Sequence, residues 1–178
     1  MGWRLAEATD DPILFFKSAK SGTTLGRDWR PPTAVAARGG EVGVNFVNSM
    51  DRFVELLDQL DADLADDGFL NAFNHAVNYE ISCVFWLQGW SEQFDDGPYT
   101  TAELRAEYAD NLRDLIYSIR ATDPRIPSDL ELIVGESSDQ DPGLNASRQV
   151  AVDALNNEIP GSAAYFDNDA MIGVDWGV

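Results

Sequence analysis

The sequence has little of several residue types on which common chemistries depend. Its 178 residues include one cysteine, Cys83, and one histidine, His75. A single cysteine excludes an internal disulfide and a thiolate zinc cluster, and a single histidine leaves few ways to build a catalytic triad or a metal site. No apolar run approaches the roughly 20 residues of a membrane-spanning helix, and the first nine residues show no signal-peptide hydrophobic region.

Basic residues are scarce as well. Twelve lysines and arginines stand against 31 aspartates and glutamates, a net charge of −19, and the lysines are Lys17 and Lys20 alone. Such a surface repels phosphate backbones and anionic lipid, so we expect neither a nucleic-acid partner nor a membrane partner. The hydrophobic content of 44 % is enough for a core, which argues against intrinsic disorder and for a single domain over residues 1–178.

Short apolar runs alternate with amphipathic stretches along the chain. The runs predict strands and the stretches, with apolar residues at three- and four-residue steps, predict helices. The alternation favours an α/β fold with a parallel sheet and helices on both faces, in which 81–87 is a central strand covered on both sides. The predicted strands are 13–17, 81–87, 130–134 and 163–166, and the predicted helices are 50–65, 100–120 and 145–157.

Polar loops follow each predicted strand. Ligands of α/β sheets bind at the carboxyl ends of the strands, so these loops are where a site is expected. They are residues 18–24, 88–93 and 135–139, and residues 167–169 with the tail beyond them.

Four segments resemble, in order, the sialate O-acetylesterase-like and acetylxylan-esterase-like branch of the SGNH hydrolases. They are Ile13–Leu25 with Trp29–Pro32, Phe85–Trp90, Tyr108–Ile116 and Leu132–Glu136. The first is similar to the family's strand-Lys-x-Ala-x-Gly-Gly-Thr-Ser-Leu segment and the second to its Trp-x-Gln-Gly block. The resemblance implies a three-layer α/β/α sandwich with a mostly parallel, flavodoxin-like sheet, here a single partial SGNH-type domain over 1–178 whose sheet is incomplete.

The same resemblance implies hydrolysis of acetyl esters on carbohydrates such as sialic acid or xylan, with no cofactor and no metal. Attack on an ester carbonyl builds negative charge on oxygen, so hydrogen-bond donors are needed where the oxyanion forms. By resemblance these donors are the backbone N–H of Gly22 and the side-chain amide of Gln88. Ser21, Thr23 and Trp90 are then expected to contact the acetylated carbohydrate.

The sequence departs from the family pattern at the catalytic residues. The family's serine belongs to a Gly-x-Ser block upstream of the segment that Met1 begins, and Val178 stands where the histidine of an Asp-x-x-His is expected. Trp90 replaces the glutamate more often seen after Gln-Gly. We therefore expect no esterase activity from this chain alone, and marginal stability without the strand that bears the serine. The alternative hypothesis is a non-catalytic carbohydrate-binding or structural module derived from the same fold.

Other segments imitate functional motifs. Gly135–Ser137 looks like a nucleophile turn, but the family comparison makes it an ordinary strand end and loop. Residues 61–68 and 139–143 are acidic without the ligand register of an EF-hand, so a solvated acidic surface is the better interpretation. His75 is expected to be a hydrogen-bonded surface residue.

Overall fold

The computed structural model describes residues 13–65, 79–135 and 142–166. In chain order the helices and strands are α1 Pro32–Arg38, α2 Val44–Ala65, β1 Cys83–Trp86, a 3-10 helix Trp90–Gln93, α3 Thr101–Ala106, α4 Tyr108–Arg120, β2 Glu131–Gly135, α5 Pro142–Glu158 and β3 Ala163–Phe166. Across these described ranges, none of the helices has the length and hydropathy needed to span a bilayer. His75, the loop predicted at 135–139 beyond Gly135, and the loop predicted at 167–169 with its tail lie outside the described residues.

The three strands form one parallel sheet in the order β1-β2-β3. The register places Trp86 beside Val134 and Val134 beside Tyr165. Both connections step to the next strand in the same direction, so right-handed crossovers bring α4 and α5 to the same face of the sheet. The two helices pack against each other, and α5 packs against β3. The predicted α/β class with a parallel sheet is confirmed.

The two faces of the sheet differ in burial. On the face toward α4 and α5, Leu132 and Val134 are fully buried. On the opposite face Phe85 is 43 % exposed, and Ile133 and Phe166 are half-buried. Within the described residues the segment 81–87 is therefore neither central nor covered on both sides, contrary to the prediction. In the described sheet β1 is an edge strand, and the face that its alternate side chains share with β2 and β3 is partly open.

The strand predicted at 13–17 is absent. Ile13, Leu14, Phe15 and Phe16 have irregular backbone and exposed side chains. An apolar run becomes a strand only when another strand offers its backbone groups, and within the described residues none pairs with this run. Phe16 instead packs its ring against Phe53 of α2, with 5.2 Å between the ring centroids.

The predicted helices are confirmed with shifted ends. Helix α2 begins at Val44, and α5 covers the predicted 145–157 with three more residues at its start and one more at its end. The helix predicted at 100–120 is two helices, α3 and α4, which meet at Glu107. Its capping box is present: Thr100 accepts a hydrogen bond from the Glu103 backbone, and the Glu103 carboxylate accepts one from the Thr100 backbone.

Helix α4 supplies the centre of the core. Its apolar residues recur on one face and lie against the buried face of the sheet, as their spacing predicts. These residues are Tyr108, Leu112, Leu115, Ile116 and Ile119, and Leu104 of α3 continues their buried set. Tyr108, the first residue of α4, also donates a hydrogen bond to the Gln88 carbonyl. The packing of α4 therefore helps to position the loop that follows β1.

Candidate functional site

Two of the predicted loops meet at the carboxyl end of β1. The side-chain amide of Gln88 donates a hydrogen bond from Nε2 to the carbonyl oxygen of Thr23 at 2.7 Å. The two residues are 65 positions apart in the sequence. The structure thus brings Gln88 next to the segment that contains Ser21, Gly22 and Thr23.

The three residues of that segment have different surroundings. Ser21 and Gly22 are exposed, and Gly22 has a φ of +67°, a left-handed conformation that favours glycine. Thr23 is buried, and its hydroxyl accepts a hydrogen bond from Trp29 Nε1 at 2.8 Å and donates one to the Lys20 carbonyl at 2.9 Å. Thr23 therefore holds the loop in shape, while Ser21 and Gly22 are the members open to a ligand.

Gln88 uses both hydrogens of its amide nitrogen inside the protein. Besides Thr23, Nε2 donates to Glu92 Oε2 at 2.7 Å. The other amide atom, Oε1, is buried and has no hydrogen-bond partner within the described residues. To donate to an oxyanion, Gln88 would have to exchange one of its two present acceptors for the ligand.

Glu92 is the residue of this site that the sequence analysis missed. It lies in the 3-10 helix and is fully buried, which is rare for a glutamate. Its carboxylate accepts hydrogen bonds from the Leu25 backbone N–H at 2.5 Å and from Gln88. Burial raises the pKa of Glu92, and the donors from Leu25 and Gln88 act against that rise. The available signal was its position four residues after Gln88, close to where the family pattern has a glutamate.

The backbone carbonyl of Gln88 is held from the helix side. It accepts a hydrogen bond from the Tyr108 hydroxyl at 2.7 Å and another from Arg148 Nη2 at 3.0 Å. Both donors are buried, and the Arg148 guanidinium lies 5.6 Å from the centre of the Tyr108 ring. Tyr108 also accepts a hydrogen bond from Trp86 Nε1 at 3.3 Å, and burial raises its pKa to about 12.

Gly89 explains why a glycine follows Gln88. Its φ is +152°, and a Cβ at this position would lie 2.0 Å from Arg148 Nη2. Any other residue would push Arg148 away from the Gln88 carbonyl. The glycine at position 89 is thus required by the contact between the end of β1 and α5.

Trp90, for which a contact with the carbohydrate is predicted, is exposed. It opens the 3-10 helix with 47 % of its surface accessible, and Phe94 directly after that helix is 60 % accessible. In this turn the aromatic residues face solvent and the charged Glu92 faces the interior, which is the reverse of the usual arrangement. Exposed aromatic rings next to polar loops are suited to stacking on the apolar faces of sugar rings.

A second set of polar contacts ties the same loops together. Thr24 donates from Oγ1 to Asp96 Oδ2 at 2.7 Å, and its backbone N–H donates to Asp28 Oδ2 at 3.0 Å. Arg27 forms a salt bridge with Asp96. The segment 22–28 is therefore joined to residues 88–96 through Gln88, Glu92 and Asp96.

The described residues contain neither a serine–histidine pair nor a metal centre. The single histidine, His75, lies outside them, as does Ser137. No group of three or more histidine, cysteine, aspartate or glutamate side chains in the described part of the chain is arranged to hold a metal ion. The chain matches no protein-family model, no curated protein and no solved structure.

Proposed function

We propose that this chain forms the oxyanion-binding and sugar-contacting part of a carbohydrate O-acetylesterase site of the SGNH type. The observation that supports the proposal most is the Gln88–Thr23 hydrogen bond, which joins the two loops that the resemblance selects. These loops lie at the carboxyl end of a parallel strand, where ligands of α/β sheets bind. The substrate would be an acetylated carbohydrate such as an acetylated sialic acid or xylan.

In this proposal Gly22 and Gln88 donate to the oxygen of the acetyl carbonyl. Gly22 is exposed, and no atom outside residues 21–23 lies within 4 Å of the place a Cβ would occupy, so a ligand can approach its backbone. Gln88 would exchange its bond to the Thr23 carbonyl for one to the oxyanion. A charged oxygen is the stronger acceptor, so the exchange is favourable once negative charge develops. Each such donor lowers a barrier of this type by roughly 2.7–4 kcal/mol.

The finer architecture, a three-layer α/β/α sandwich of flavodoxin-like type, belongs to the same proposal. Helices α4 and α5 form one layer over the sheet. The open face is apolar, with Phe85, Ile133 and Phe166 only partly covered, and a second helical layer would bury them. The residues that the structure describes would then form only part of the complete sandwich.

The test is a nuclear magnetic resonance titration of the purified chain with an acetylated xylo-oligosaccharide and with an O-acetylated sialic acid. The matched control ligands are the same sugars after deacetylation. We expect the acetylated forms to shift the backbone signal of Gly22 and the side-chain signals of Gln88 and Trp90, and the deacetylated forms to shift Gln88 much less. Shifts confined to other parts of the chain would contradict the proposal.

A non-catalytic carbohydrate-binding module is the second candidate. It is favoured by the two hydrogen bonds that already engage Gln88 Nε2. Such a module would recognise the sugar through Trp90 and have no need of the acetyl group. Equal affinity for the acetylated and deacetylated sugars would therefore support the module and oppose the esterase site.

A further inference from the structure

The buried carboxylate of Glu92 connects the two halves of the proposed site. One oxygen accepts from the Leu25 backbone at 2.5 Å, and the other accepts from the Gln88 side chain at 2.7 Å. Leu25 and Gln88 are on different loops and come together only in the folded chain. Glu92 thus contacts both loops without itself reaching solvent.

The charge of Glu92 determines which end of the Gln88 amide faces it. An ionised carboxylate only accepts hydrogen bonds, so the amide must present its nitrogen. A protonated Glu92 would have an O–H to donate, and the buried, unpartnered Oε1 of Gln88 would be the better acceptor. Turning the amide to meet that O–H would also move Nε2 away from the Thr23 carbonyl.

The charge of Glu92 is stabilised by hydrogen bonds from Leu25 and Gln88 and by the nearby positive charge of Arg148. The loop 23–25 presents backbone groups to it. From α5 the charged group that faces it is Arg148, and from α4 the titratable group is Tyr108. Arg148 donates to the Gln88 carbonyl and to Asn145, and no lysine or arginine of the described residues forms a salt bridge with Glu92. A buried carboxylate without a salt bridge is costly unless it is hydrogen-bonded, so the charge of Glu92 depends on its bonds from Leu25 and Gln88.

We propose that ionised Glu92 is the positioning residue of this site, which holds the Gln88 amide with Nε2 toward the Thr23 loop. The inference rests on the proposed function for its purpose, because Nε2 is the proposed oxyanion donor. The orientation of the Gln88 amide follows the protonation state of Glu92 whether or not the site binds an acetyl ester. Because burial raises the pKa of Glu92, we expect the amide to turn at a higher pH than the ordinary glutamate pKa.

The experiment follows the Gln88 side-chain amide and the Leu25 backbone amide by nitrogen-15 magnetic resonance. In the unmodified chain we expect both signals to titrate together with one midpoint as Glu92 is protonated. In Glu92→Gln the neutral side chain can accept from Leu25 and donate to Gln88 Oε1. At any one pH, exchange of the Gln88 amide hydrogens should then be about tenfold faster than in the unmodified chain, because the bond to Thr23 is lost, and the Gln88 signal should no longer titrate with Glu92.

Glu131→Gln is the matched control, since it removes one negative charge from a half-exposed position on β2. It should leave Gln88 unchanged. A purely structural Glu92 predicts a lower unfolding temperature for Glu92→Gln with no change in the Gln88 signals of the folded fraction, and that result would overturn the proposal. If Glu92→Gln does not fold, the titration of the unmodified chain decides: a Gln88 signal that ignores the protonation sensed by Leu25 would also overturn it.

The outcomes separate this inference from the proposed function. If Gln88 follows Glu92 but no acetylated sugar shifts its signals, the positioning role stands and the esterase site fails. If acetylated sugars shift Gln88 equally in the unmodified chain and in Glu92→Gln, with unchanged exchange of the amide, the site stands and Glu92 does not position it.

Discussion

At the scale of single residues, the turn after β1 buries a charged side chain and exposes apolar ones. Glu92 is buried while Trp90 and Phe94 are exposed. The buried carboxylate is hydrogen-bonded to Leu25 on one loop and to Gln88 on the other. The aromatic rings remain accessible to a ligand. The Gln88 carbonyl, bound by Tyr108 and Arg148, fixes the backbone from which the amide projects.

Tyr108→Phe should show how much this anchoring contributes to stability. It removes the donor to Gln88 and leaves the Trp86 indole N–H without its acceptor in a buried place. We expect the free energy of unfolding to fall by about 1–3 kcal/mol in urea titrations. Tyr117→Phe is the control, because it removes a hydroxyl that bonds the exposed Glu158, and it should change the value by less than about 1 kcal/mol. Equal losses for the two variants would mean that Tyr108 contributes only its ring.

Glu92 should make the protein less stable as pH rises. Its pKa is raised in the folded state, mainly by burial. The folded chain therefore holds the proton over a range in which the unfolded chain has lost it, and stability declines from the ordinary glutamate pKa up to the folded pKa. Glu92→Gln should abolish that part of the decline, as measured by denaturant titration between about pH 4 and pH 8.

Asp123 provides the opposite sign as an internal control. Hydrogen bonds from Arg125 lower the pKa of Asp123 to about 2. Its contribution to stability is fully present above the ordinary aspartate pKa and is lost as the pH falls from there to the folded pKa of about 2. Asp123→Asn should therefore change only the acidic end of the curve. A stability decline between pH 5 and pH 8 that is the same with and without Glu92 would refute the assignment.

At the scale of helices and strands, the sequence predicts those elements whose pattern is local. The period of α4, the capping box at Thr100 and the run of β3 are set by neighbours within a few residues. Whether an apolar run pairs as a strand depends on another segment, so residues 13–17 and the edge position of β1 were beyond the pattern. The site divides in the same way: Gln88 follows from its place after a strand, but the burial of Glu92 depends on an N–H that is 67 residues away.

The difference between the two sheet faces gives a test by truncation. Leu132 is fully buried beneath the helices, so Leu132→Ala should cost about 2–5 kcal/mol. Phe85 points to the other face and is 43 % exposed, so Phe85→Ala should cost less than about 2 kcal/mol, well under the value for a buried phenylalanine. Urea titrations of both variants measure this. A Phe85 loss as large as that of Leu132 would show that a further layer already covers the open face.

At the scale of the whole molecule, the charge imbalance is the dominant electrostatic feature. With a net charge of −19, most acidic residues have no basic residue to pair with. Several of the few arginines are already engaged: Arg27, Arg30, Arg38, Arg113 and Arg125 form salt bridges. The remaining carboxylates repel one another, and this repulsion opposes the compact state.

Salt should therefore stabilise this protein. Raising sodium chloride from about 0.01 M to about 1 M shortens the screening length from roughly 30 Å to 3 Å, which weakens repulsion across the surface more than contacts inside short ion pairs. We expect the midpoint of thermal unfolding to rise.

The double variant Asp51→Asn with Glu55→Gln, on the exposed side of α2, changes the net charge from −19 to −17 by removing two negative charges. It should be more stable at low salt and respond less to added salt. A midpoint that falls with salt would contradict this prediction. It would mean that the ion pairs of Arg30 and Arg125 stabilise the folded chain by more than the repulsion among the carboxylates destabilises it.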